Sequence, residues 1–583
     1  MKFENFRYSP PDDSFKSVYS IRKKSPTSLT EQVEEEPEKL RHEPVSSSSE
    51  LDDEKEIEER FDTIFDVADT LPPAALILRF ISELNVCDQQ SLVNRRLTNK
   101  LVWQLQDALS VCSGAIPCWC FRIVREFPFL FPYETRQVLF SSTAFSVSRS
   151  LYRFYELEAQ NSQVSRGFAG VESILSSGST PPPQLKRQKV SLPRSHALET
   201  GIKLMTKFAG QKIQLNVEFT DEIGHGLGPT LEFYSIISRE IQRKDLHLWR
   251  SSDNIVTKEI KLKVETIDEM HNDDFFVHNK SGLFPAILHL PTVNEDIKNR
   301  VYQLFKFLGR FLGRALMDDR SLDLDFSSIF LEKLMSSDLE DDEDYLPTLA
   351  EIDPELARNL QYIYNLALEY QVTRSATLRE ELEQLQIENL VPGSSIQVLP
   401  DESNSVISIE NAARYCQTLA RIIINDGVRF QINACIEGFQ EIFSTEHLRA
   451  FTSSELRDIF CGGGDDIPWD ISDISQNIIL RDYSKDSPTI VNLLEVLSEF
   501  EKPDRRLFLK FLTGAPRLPV GGWKNLKPKF SIVKKSCQDL YQTLPSCSTC
   551  SVVLKLPQYP TKEILREKIL FAIREGQNYF AMD

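Results

Sequence analysis

An α+β fold spread over two to four domains is expected for this chain, and three features of the sequence point to it. With 583 residues, the chain is too long to fold around a single hydrophobic core. Apolar residues recur at helical spacing over most of the chain beyond residue 58. The last part instead combines a short apolar strand, Ser551–Leu556, with an amphipathic helix, Thr561–Glu575.

Composition narrows the class of protein. Hydrophobic and aromatic contents of 41% and 10% are typical of globular proteins. A net charge of −19 argues against nucleic acid as the main partner, because phosphate contacts need a basic surface. No apolar run approaches the roughly 18 residues that span a bilayer, and the N-terminus lacks the apolar core of a secretory signal. Ten scattered cysteines favour a reducing compartment, so we expect a cytoplasmic or nuclear protein without a membrane partner.

The first third of the chain changes character twice. Residues 1–58 are rich in Ser, Pro, Glu and Lys, which predicts a disordered tail because such a segment buries too little apolar surface. Residues 59–160 carry apolar side chains at helical spacing and predict a small helical domain. Residues 161–195, which include SSGSTPPPQLKRQK, predict a linker.

A larger mixed region follows the linker. It begins with a strand at Ile213–Phe219 and ends at CGGGDD, Cys461–Asp466, whose three glycines predict a flexible joint. The glycine-rich segment Gly224–Gly228 fits neither G-x-G-x-x-G nor a Walker motif, so we interpret it as a tight turn into a helix. The periodicity predicts these helices between the strand and the joint: Val301–Met317, Pro354–Tyr370, Ile409–Phe443 and Ser453–Phe460.

Cys550 is the main candidate for chemistry, because it directly precedes the strand Ser551–Leu556. A cysteine beside a strand is more often a buried small hydrophobic residue. Cys547 adds a C-x-x-C spacing, which is typical of redox pairs and of zinc half-sites. Zinc needs two more ligands, yet the last histidine is His447, and Cys537 is the only other cysteine after residue 461. We therefore expect neither a metal nor a cofactor, and no papain-like site.

A thiol without a local base suits exchange with an activated thioester. Thiol and thioester are close in energy, so the attack needs no strong base. A free thiol with a pKa of about 8.5 is a few per cent thiolate at neutral pH, and the thiolate is strongly nucleophilic. The helix that follows presents an apolar stripe that we expect to pack against the strand, formed by Leu565, Ile569, Ala572 and Ile573.

These motifs together resemble the HECT-type ubiquitin ligases. The resemblance rests on the tail block LPSCSTC…LKLPQYP…LREKILFAI, on FLTGAPRLPVGGW (Phe511–Trp523) and on DEIGHGLGPTLEFY (Asp221–Tyr234), and it covers residues 195–583. GLGPTLEFY, TGAPRLP and REGQ resemble in particular the ubiquitin-fusion-degradation and plant UPL branch. Members of that branch usually carry a long armadillo-like array upstream. This sequence lacks the array, so a short form or a fragment is expected.

The resemblance implies a bilobal HECT domain, preceded by the small all-helical region and the disordered N-terminus. A mostly helical N-lobe is expected at 196–463, with a small conjugating-enzyme-binding subdomain at about 345–405, and an α/β C-lobe at 464–583. The glycines Gly462, Gly463 and Gly464 would be the hinge between the lobes.

The family also implies roles for single residues. Cys550 would accept ubiquitin as a thioester, with Thr549 preceding it, and Phe580, fourth from the end, would assist transfer. Ser548 stands where many members have histidine. The implied partners are ubiquitin, a ubiquitin-conjugating enzyme and protein substrates, whose lysines would be modified so that the proteins are degraded.

Four apolar residues match the family's docking groove for the conjugating enzyme, on a helix and an adjacent strand: Leu356, Leu360, Leu385 and Ile387. The alternative is that they are core residues. Asn389 stands where the family often has phenylalanine, which is a departure within the same groove.

Two other functions remain open at this point. A catalytically inactive scaffold with the HECT fold would keep the lobes and lose the thiol chemistry. A C-x-x-C redox protein would form a Cys547–Cys550 disulfide in a mild redox buffer. The presence of Thr549, Cys550 and Phe580 favours the ligase over both.

Overall fold

Helices make up most of the structure, which is a computed structural model. It describes residues 89–145, 149–151, 154, 187–220, 227–251, 275–277, 279–288, 291, 293–335, 344–402, 405–463, 469–519, 521–536, 539–549 and 551–575. Within these residues, no helix is both long and apolar enough to cross a membrane.

Among the residues that the structure describes, five α-helices precede the first strand, and we call them the upstream helices: α1 Gln89–Leu92, α2 Arg95–Gln106, α3 Ala108–Ser113, α4 Cys118–Glu126 and α5 Tyr133–Thr143. The Asn94 side chain accepts from the amide of Leu97 and caps α2. Prolines 117 and 132 directly precede α4 and α5. Each has a fixed φ suited to a helix entry, so the prolines set where these helices begin.

The upstream helices pack on residues that lie more than 300 positions later in the chain. Arg136 of α5 donates two hydrogen bonds of 2.6 Å to the carboxylate of Glu455 and one of 2.9 Å to the carbonyl of Ala450. The ring of Phe140 lies 5.3 Å from that of Phe451 and 5.8 Å from that of Phe443, both edge-on. We call this contact the upstream seam.

Two short strands, β1 Arg187–Leu192 and β2 Gln214–Phe219, pair in parallel. Helix α6, Ala197–Phe208, connects them. Strand β1 therefore occupies residues inside the segment 161–195, which the sequence predicts as a linker. The segment's Ser- and Pro-rich part, up to residue 186, lies outside the described residues.

The central region, residues 197–461, is mostly helical. After α6, its helices are α7 Leu227–Ile241, α8 Glu295–Met317, α9 Ser328–Met335, α10 Tyr345–Ile352, α11 Pro354–Thr373, α12 Ala376–Gln384, α13 Ile409–Arg421, α14 Arg429–Gln440 and α15 Ser453–Cys461. Helix α8 is buried along its second half and packs on α14. The two backbones meet closely, since a Cβ at Gly309 would lie 1.9 Å from the carbonyl oxygen of Cys435.

The helix predicted over Ile409–Phe443 is wrong in one respect, because it is broken in the middle. A π turn at Ile422–Asp426 separates α13 from α14. At the break, a Cβ on Gly427 would lie 2.7 Å from the carbonyl oxygen of Ile422 and 2.8 Å from the side chain of Ile287. The other three predicted helices in this region are confirmed, each with ends that differ by a few residues.

The C-terminal unit, residues 469–575, has its own core around a four-stranded sheet. Its strands are β3 Ile479–Arg481, β4 Ser531–Lys534, β5 Ser546–Ser548 and β6 Val553–Leu556, in the order β3-β4-β6-β5. Strands β3, β4 and β6 are parallel, and β5 runs antiparallel to β6. The accompanying helices are α16 Ile471–Asn477, α17 Pro488–Ser498, α18 Lys502–Thr513 and α19 Lys562–Glu575.

Helix α19 confirms the predicted packing of the C-terminal helix. Its apolar stripe is buried, with Leu565, Ile569, Ala572 and Ile573 at most 5% exposed. Three of these side chains share one core with the sheet residues Ile532 and Leu554. A helical central region beside a sheet-based C-terminal unit confirms the α+β class; the predicted domain boundaries remain predictions.

Candidate active site

The turn between β5 and β6 is where the sequence places the nucleophile. The amide of Ser551 donates to the carbonyl of Ser548 at 3.2 Å, and the amide of Val552 donates to that of Thr549 at 3.4 Å. Val552 has a φ of 52°, so the chain is still turning there. Strand β6 therefore begins at Val553 rather than at Ser551, two residues later than predicted.

Packing holds both ends of this turn. Val552 is buried, and its carbonyl accepts from the amide of Ser531 on β4 at 2.9 Å. Thr549 is half-buried, and Ser551 is exposed and donates its hydroxyl to that of Ser548 at 3.0 Å. A turn that is anchored at Val552 and exposed at Ser551 suits a group that a large partner must reach.

Three of the predicted site residues, Cys550, Phe580 and Gly464, lie outside the described residues. Their roles stay predictions. Thr549 is described, and it contributes its carbonyl to the turn.

Cys547 differs from an exposed redox thiol. It lies in β5 opposite Leu554 and packs against the core of the C-terminal unit. Burial raises the pKa of its thiol well above the ordinary value. A thiol held neutral in this way is a poor nucleophile at pH 7.

No histidine is available to this turn from the C-terminal unit, since the last one in the chain is His447. His447 lies at the upstream seam, where its ring is 6.4 Å from that of Phe443. Burial, reinforced by the nearby Arg125, lowers the pKa of His447 to about 4. Within the described residues, no group of three or more His, Cys, Asp or Glu side chains could hold a metal ion.

The predicted hinge begins where α15 ends. Gly462 has φ 85° and ψ 164°, a backbone conformation that essentially only glycine adopts. A Cβ there would lie 2.8 Å from both the Cβ of Arg517 and the carbonyl oxygen of Leu518. The amide of Gly463 donates to that same carbonyl at 2.6 Å. Gly462 and Gly463 are therefore in direct contact with the loop 514–519 of the C-terminal unit.

Charged groups flank this contact. Asp325 of the central region accepts from Arg457 Nε at 3.0 Å and Nη2 at 2.7 Å. Its other oxygen lies 3.4 Å from Nη2 of Arg517 in the C-terminal unit. Nearby, Lys510 Nζ lies 3.9 Å from the carboxylate of Asp323. We call these contacts, together with those of Gly462 and Gly463, the hinge seam.

A family model described as "HECT-domain (ubiquitin-transferase)" matches residues 235–583, which include the turn, the hinge seam and most of the central region. The chain belongs to the HECT-domain family. The predicted resemblance to the HECT-type ubiquitin ligases is thus confirmed.

Relatives with the same domain are much longer proteins. Ubiquitin fusion degradation protein 4 of Saccharomyces cerevisiae is 34% identical over 523 residues, covering 87% of this chain and 33% of that protein. E3 ubiquitin-protein ligase UPL3 of Arabidopsis thaliana is 34% identical, and the match covers 84% of this chain and 26% of that protein. E3 ubiquitin-protein ligase TRIP12 of Danio rerio is 32% identical, with shares of 84% and 24%. The chain spans a third or less of the length of these relatives. Their names match the predicted ubiquitin-fusion-degradation and UPL branch.

The four residues matched to the HECT docking groove are not equivalent in the structure. Leu360 is only 3% exposed and belongs to the core, so it offers almost no surface to a partner. Leu356 and Ile387 are half-buried, and Leu385 is 46% exposed at the end of α12. Leu385 and Ile387 lie outside any named strand, whereas the sequence suggested an adjacent strand.

Asn389, which departs from the family's usual phenylalanine, has a structural role here. It is 1% exposed. Its side-chain amide donates to the carbonyl of Leu399 at 2.8 Å and its oxygen accepts from the amide of Leu399 at 2.9 Å. The residue thus fixes the loop beside α12 through backbone-like pairing rather than through an aromatic surface.

Sequence reasoning missed Tyr362, which is 49% exposed on α11. Its hydroxyl donates to the carboxylate of Glu381 on α12, one helical turn before Leu385. Tyr362 is therefore near the exposed end of the proposed groove. Its position out of phase with the buried stripe Leu360, Ile363, Ala367 and Tyr370 is the signal that could have identified it.

Proposed function

We propose that this protein is a ubiquitin-protein ligase that accepts ubiquitin as a thioester on Cys550 and transfers it to substrate lysines, marking the substrates for degradation. The observation that carries the proposal is the HECT-domain match over residues 235–583, in which Cys550 falls in the turn between β5 and β6. The partners are then ubiquitin, a ubiquitin-conjugating enzyme and protein substrates.

The chemistry has two steps. The thiolate of Cys550 attacks the carbonyl carbon of the thioester that joins ubiquitin to the conjugating enzyme. The new C–S bond forms as the old one breaks, and the conjugating enzyme leaves as a thiolate that takes up a proton. A substrate lysine amine then attacks the Cys550 thioester, an isopeptide bond forms, the amine loses its proton to solvent and the Cys550 thiol is regenerated.

The turn supports a mechanism that needs no resident histidine. Its described partners are backbone groups and serine hydroxyls, and the sequence has no histidine beyond residue 447. Thiol–thioester exchange is nearly balanced in free energy, so placement of the two thiols contributes most of the rate. The fold supplies placement through the rigid sheet beneath the turn.

The conjugating enzyme docks, in this proposal, on the exposed apolar surface formed by Leu356, Tyr362, Leu385 and Ile387. Replacing Leu385 with glutamate places a charge in that surface and should weaken docking about tenfold or more, as for an interface hot spot. Val372→Glu is the matched control, because Val372 is 86% exposed on the same helix, α11, away from Tyr362. Equal effects of the two substitutions on docking would exclude this surface.

We also propose that the protein works in the cytoplasm or the nucleus. Its seven described cysteines are all free thiols, as a reducing compartment requires. Fractionation of cells that express the full chain would test this, and recovery of the protein from a secretory compartment would contradict it.

A single-turnover charging assay tests the proposed activity. The full chain is mixed with ubiquitin already loaded on a conjugating enzyme, beside Cys550→Ala, and is run on gels with and without thiol reductant. The expected product is a reductant-sensitive adduct one ubiquitin heavier, absent from the alanine variant. No adduct across a panel of conjugating enzymes, with the protein folded, would support the inactive scaffold instead.

The C-x-x-C alternative is tested in the same assay with Cys547→Ser. Because Cys547 is packed against the core and Cys550 carries the proposed thioester, charging should persist in this variant. Loss of charging only in Cys547→Ser, or a Cys547–Cys550 disulfide formed in mild redox buffer, would favour redox chemistry.

The hinge is tested by replacing the run Gly462–Gly464 with prolines. Docking of the conjugating enzyme should be unchanged, since the docking surface lies on α11 and α12, while transfer should slow because the units can no longer reorient. An equal loss of docking would contradict the hinge.

A further inference from the structure

One carboxylate serves both sides of the hinge seam. Asp325 belongs to the central region, and one of its oxygens receives two short hydrogen bonds from Arg457. Arg457 lies on α15, the helix that runs into the hinge glycines. The other oxygen faces Arg517, which comes from the C-terminal unit. The hinge helix and the C-terminal unit are therefore both tied to Asp325.

The two contacts differ in strength. Arg457 binds at 2.7 and 3.0 Å through two nitrogens, a geometry typical of a firm ion pair. Arg517 lies at the longer distance of 3.4 Å, and since Asp325 is 35% exposed, solvent screens both contacts, so the distance is what makes the second one weaker. The side chain of Arg517 is only 10% exposed, so packing keeps it in the seam. The weaker contact is the one that crosses between the units.

We propose that Asp325 is a positioning residue. Together with Arg457 and Arg517 it forms a latch that holds the C-terminal unit in the orientation of this structure, and each catalytic cycle releases the latch. The inference rests on the proposed function, because charging from a conjugating enzyme and transfer to a substrate bring different partners to the same thiol. One fixed orientation favours one of these steps over the other.

The expected effect is modest because the pair is partly exposed. Such pairs change a two-state population by about two- to fivefold. A reversible latch needs a small value, since a strongly favoured orientation would block the second step.

The test uses Asp325→Asn in the full chain, which keeps the shape of the side chain and removes its charge. Two rates are measured separately: charging of the protein from a loaded conjugating enzyme, and discharge of the charged protein to free lysine. We expect the two rates to change in opposite directions, each by about two- to fivefold. Arg517→Gln should change them in the same way, and the double variant should add little to either single one.

Asp504→Asn is the matched control, because it removes an equal charge from a pair with Arg574 that lies within the C-terminal unit. It should leave both rates unchanged. If Asp325→Asn slows both steps by one factor and lowers the melting temperature, the residue is structural and the latch is wrong. If neither rate changes, the latch is wrong as well.

Hydrogen exchange separates a failure of the latch from a failure of the proposed function. The amide of Gly463 bonds across the seam, so Asp325→Asn should speed its exchange whether or not the protein charges with ubiquitin. If wild type never charges but exchange at Gly463 accelerates in the variant, the latch stands and the ligase proposal fails. Unchanged exchange overturns the latch.

Discussion

The central region contacts a neighbouring segment at each end, and it holds the two in different ways. At the upstream seam, the buried rings of Phe140, Phe443 and Phe451 pack edge-on, and Arg136 binds Glu455 through both terminal nitrogens of its guanidinium. At the hinge seam, Gly462 and Gly463 lie against a loop and one shared carboxylate spans the gap. Buried aromatic area suits a permanent contact, whereas a screened ion pair beside glycines suits one that opens.

A single helix joins the two seams. Glu455, which Arg136 holds, is in the first turn of α15, and it also accepts from the amide of Thr452 to complete a capping box. The same helix carries Arg457 and ends at Gly462. The upstream helices thus anchor the start of the helix from which the C-terminal unit extends. They pack directly on the matched HECT domain, although the family match begins only at residue 235.

The largest expected effect is from Phe140→Ala at the upstream seam. Removing a buried ring that meets three others leaves a cavity and should lower the free energy of unfolding by about 3–5 kcal/mol. Urea unfolding of the full chain measures this. Phe571→Ala is the control, because Phe571 is 53% exposed on α19 and should change stability by less than about 0.5 kcal/mol. Similar values for both would mean that the upstream seam is not a core.

Arg136→Ala is expected to have the next largest effect. It leaves the carboxylate of Glu455, which is 20% exposed, without its main partner and removes a bond to the Ala450 carbonyl. We expect a loss of about 2–4 kcal/mol in the free energy of unfolding. Arg125→Ala, which breaks a pair with the 62% exposed Glu446, should lose under about 1 kcal/mol. Equal losses would show that burial does not distinguish these pairs.

An element of the fold could be predicted from the sequence when residues close together in the chain determine it, and not when distant residues do. Helix α19 and its buried stripe follow from local periodicity, so the sequence predicted them to within one residue at each end. Strand β1 was missed because RQKVSL is mostly polar and is held by its pairing with β2 across the intervening helix. The break between α13 and α14 ends at Gly427, where Ile287, far away in the sequence, leaves no room for a Cβ, and this contact is not visible in the local sequence.

The same distinction between local and distant residues applies to the candidate site. The motif around Cys550 is contiguous, so the sequence alone indicated both the family and the chemistry. Asp325 and Arg517 belong to no shared motif, because 192 positions separate them in the chain (517 − 325). Arg136 and Glu455 are 319 positions apart. Without partners, each of these charges is indistinguishable from a solvated surface residue, which is why the seams emerge only from the fold.

At the hinge seam, Gly462→Ala tests how tightly the loop is seated. Alanine is disfavoured at φ 85° and ψ 164°, and its Cβ would lie 2.8 Å from Leu518's carbonyl oxygen. We expect a loss of about 1–3 kcal/mol in the stability of the observed arrangement, so the amide of Gly463 should exchange faster with solvent. Gly393→Ala is the control, since it has φ +75° with nothing within 4 Å of the added Cβ. If the Gly463 amide exchanges equally fast in the control, the contact between Gly462 and Leu518 does not hold the loop in place.

The smallest expected effect is a loss of stability at low pH, and we expect it at the upstream seam, where His447 lies. Burial, with Arg125 and Lys212 adding to it and Glu446 opposing it, lowers the pKa of His447 to about 4, from 6.5. The unfolded chain then binds a proton more readily than the folded one below pH 6.5, so stability present above that pH is lost as pH falls toward 4. After allowance for partial solvent screening, the loss is about 1–2 kcal/mol.

Unfolding of wild type and His447→Gln at pH 7 and pH 5 measures this difference. Glutamine keeps a polar side chain at the upstream seam but takes up no proton, so the variant should lose less stability than wild type over this interval. Added salt should affect the two ends of α15 differently. It should speed exchange of the Gly463 amide by screening the Asp325–Arg517 contact, and it should leave the aromatic packing of the upstream seam intact. If wild type and His447→Gln lose equal free energy of unfolding between pH 7 and pH 5, the acid sensitivity arises from another group. Low pH would then not distinguish the upstream seam from the hinge seam.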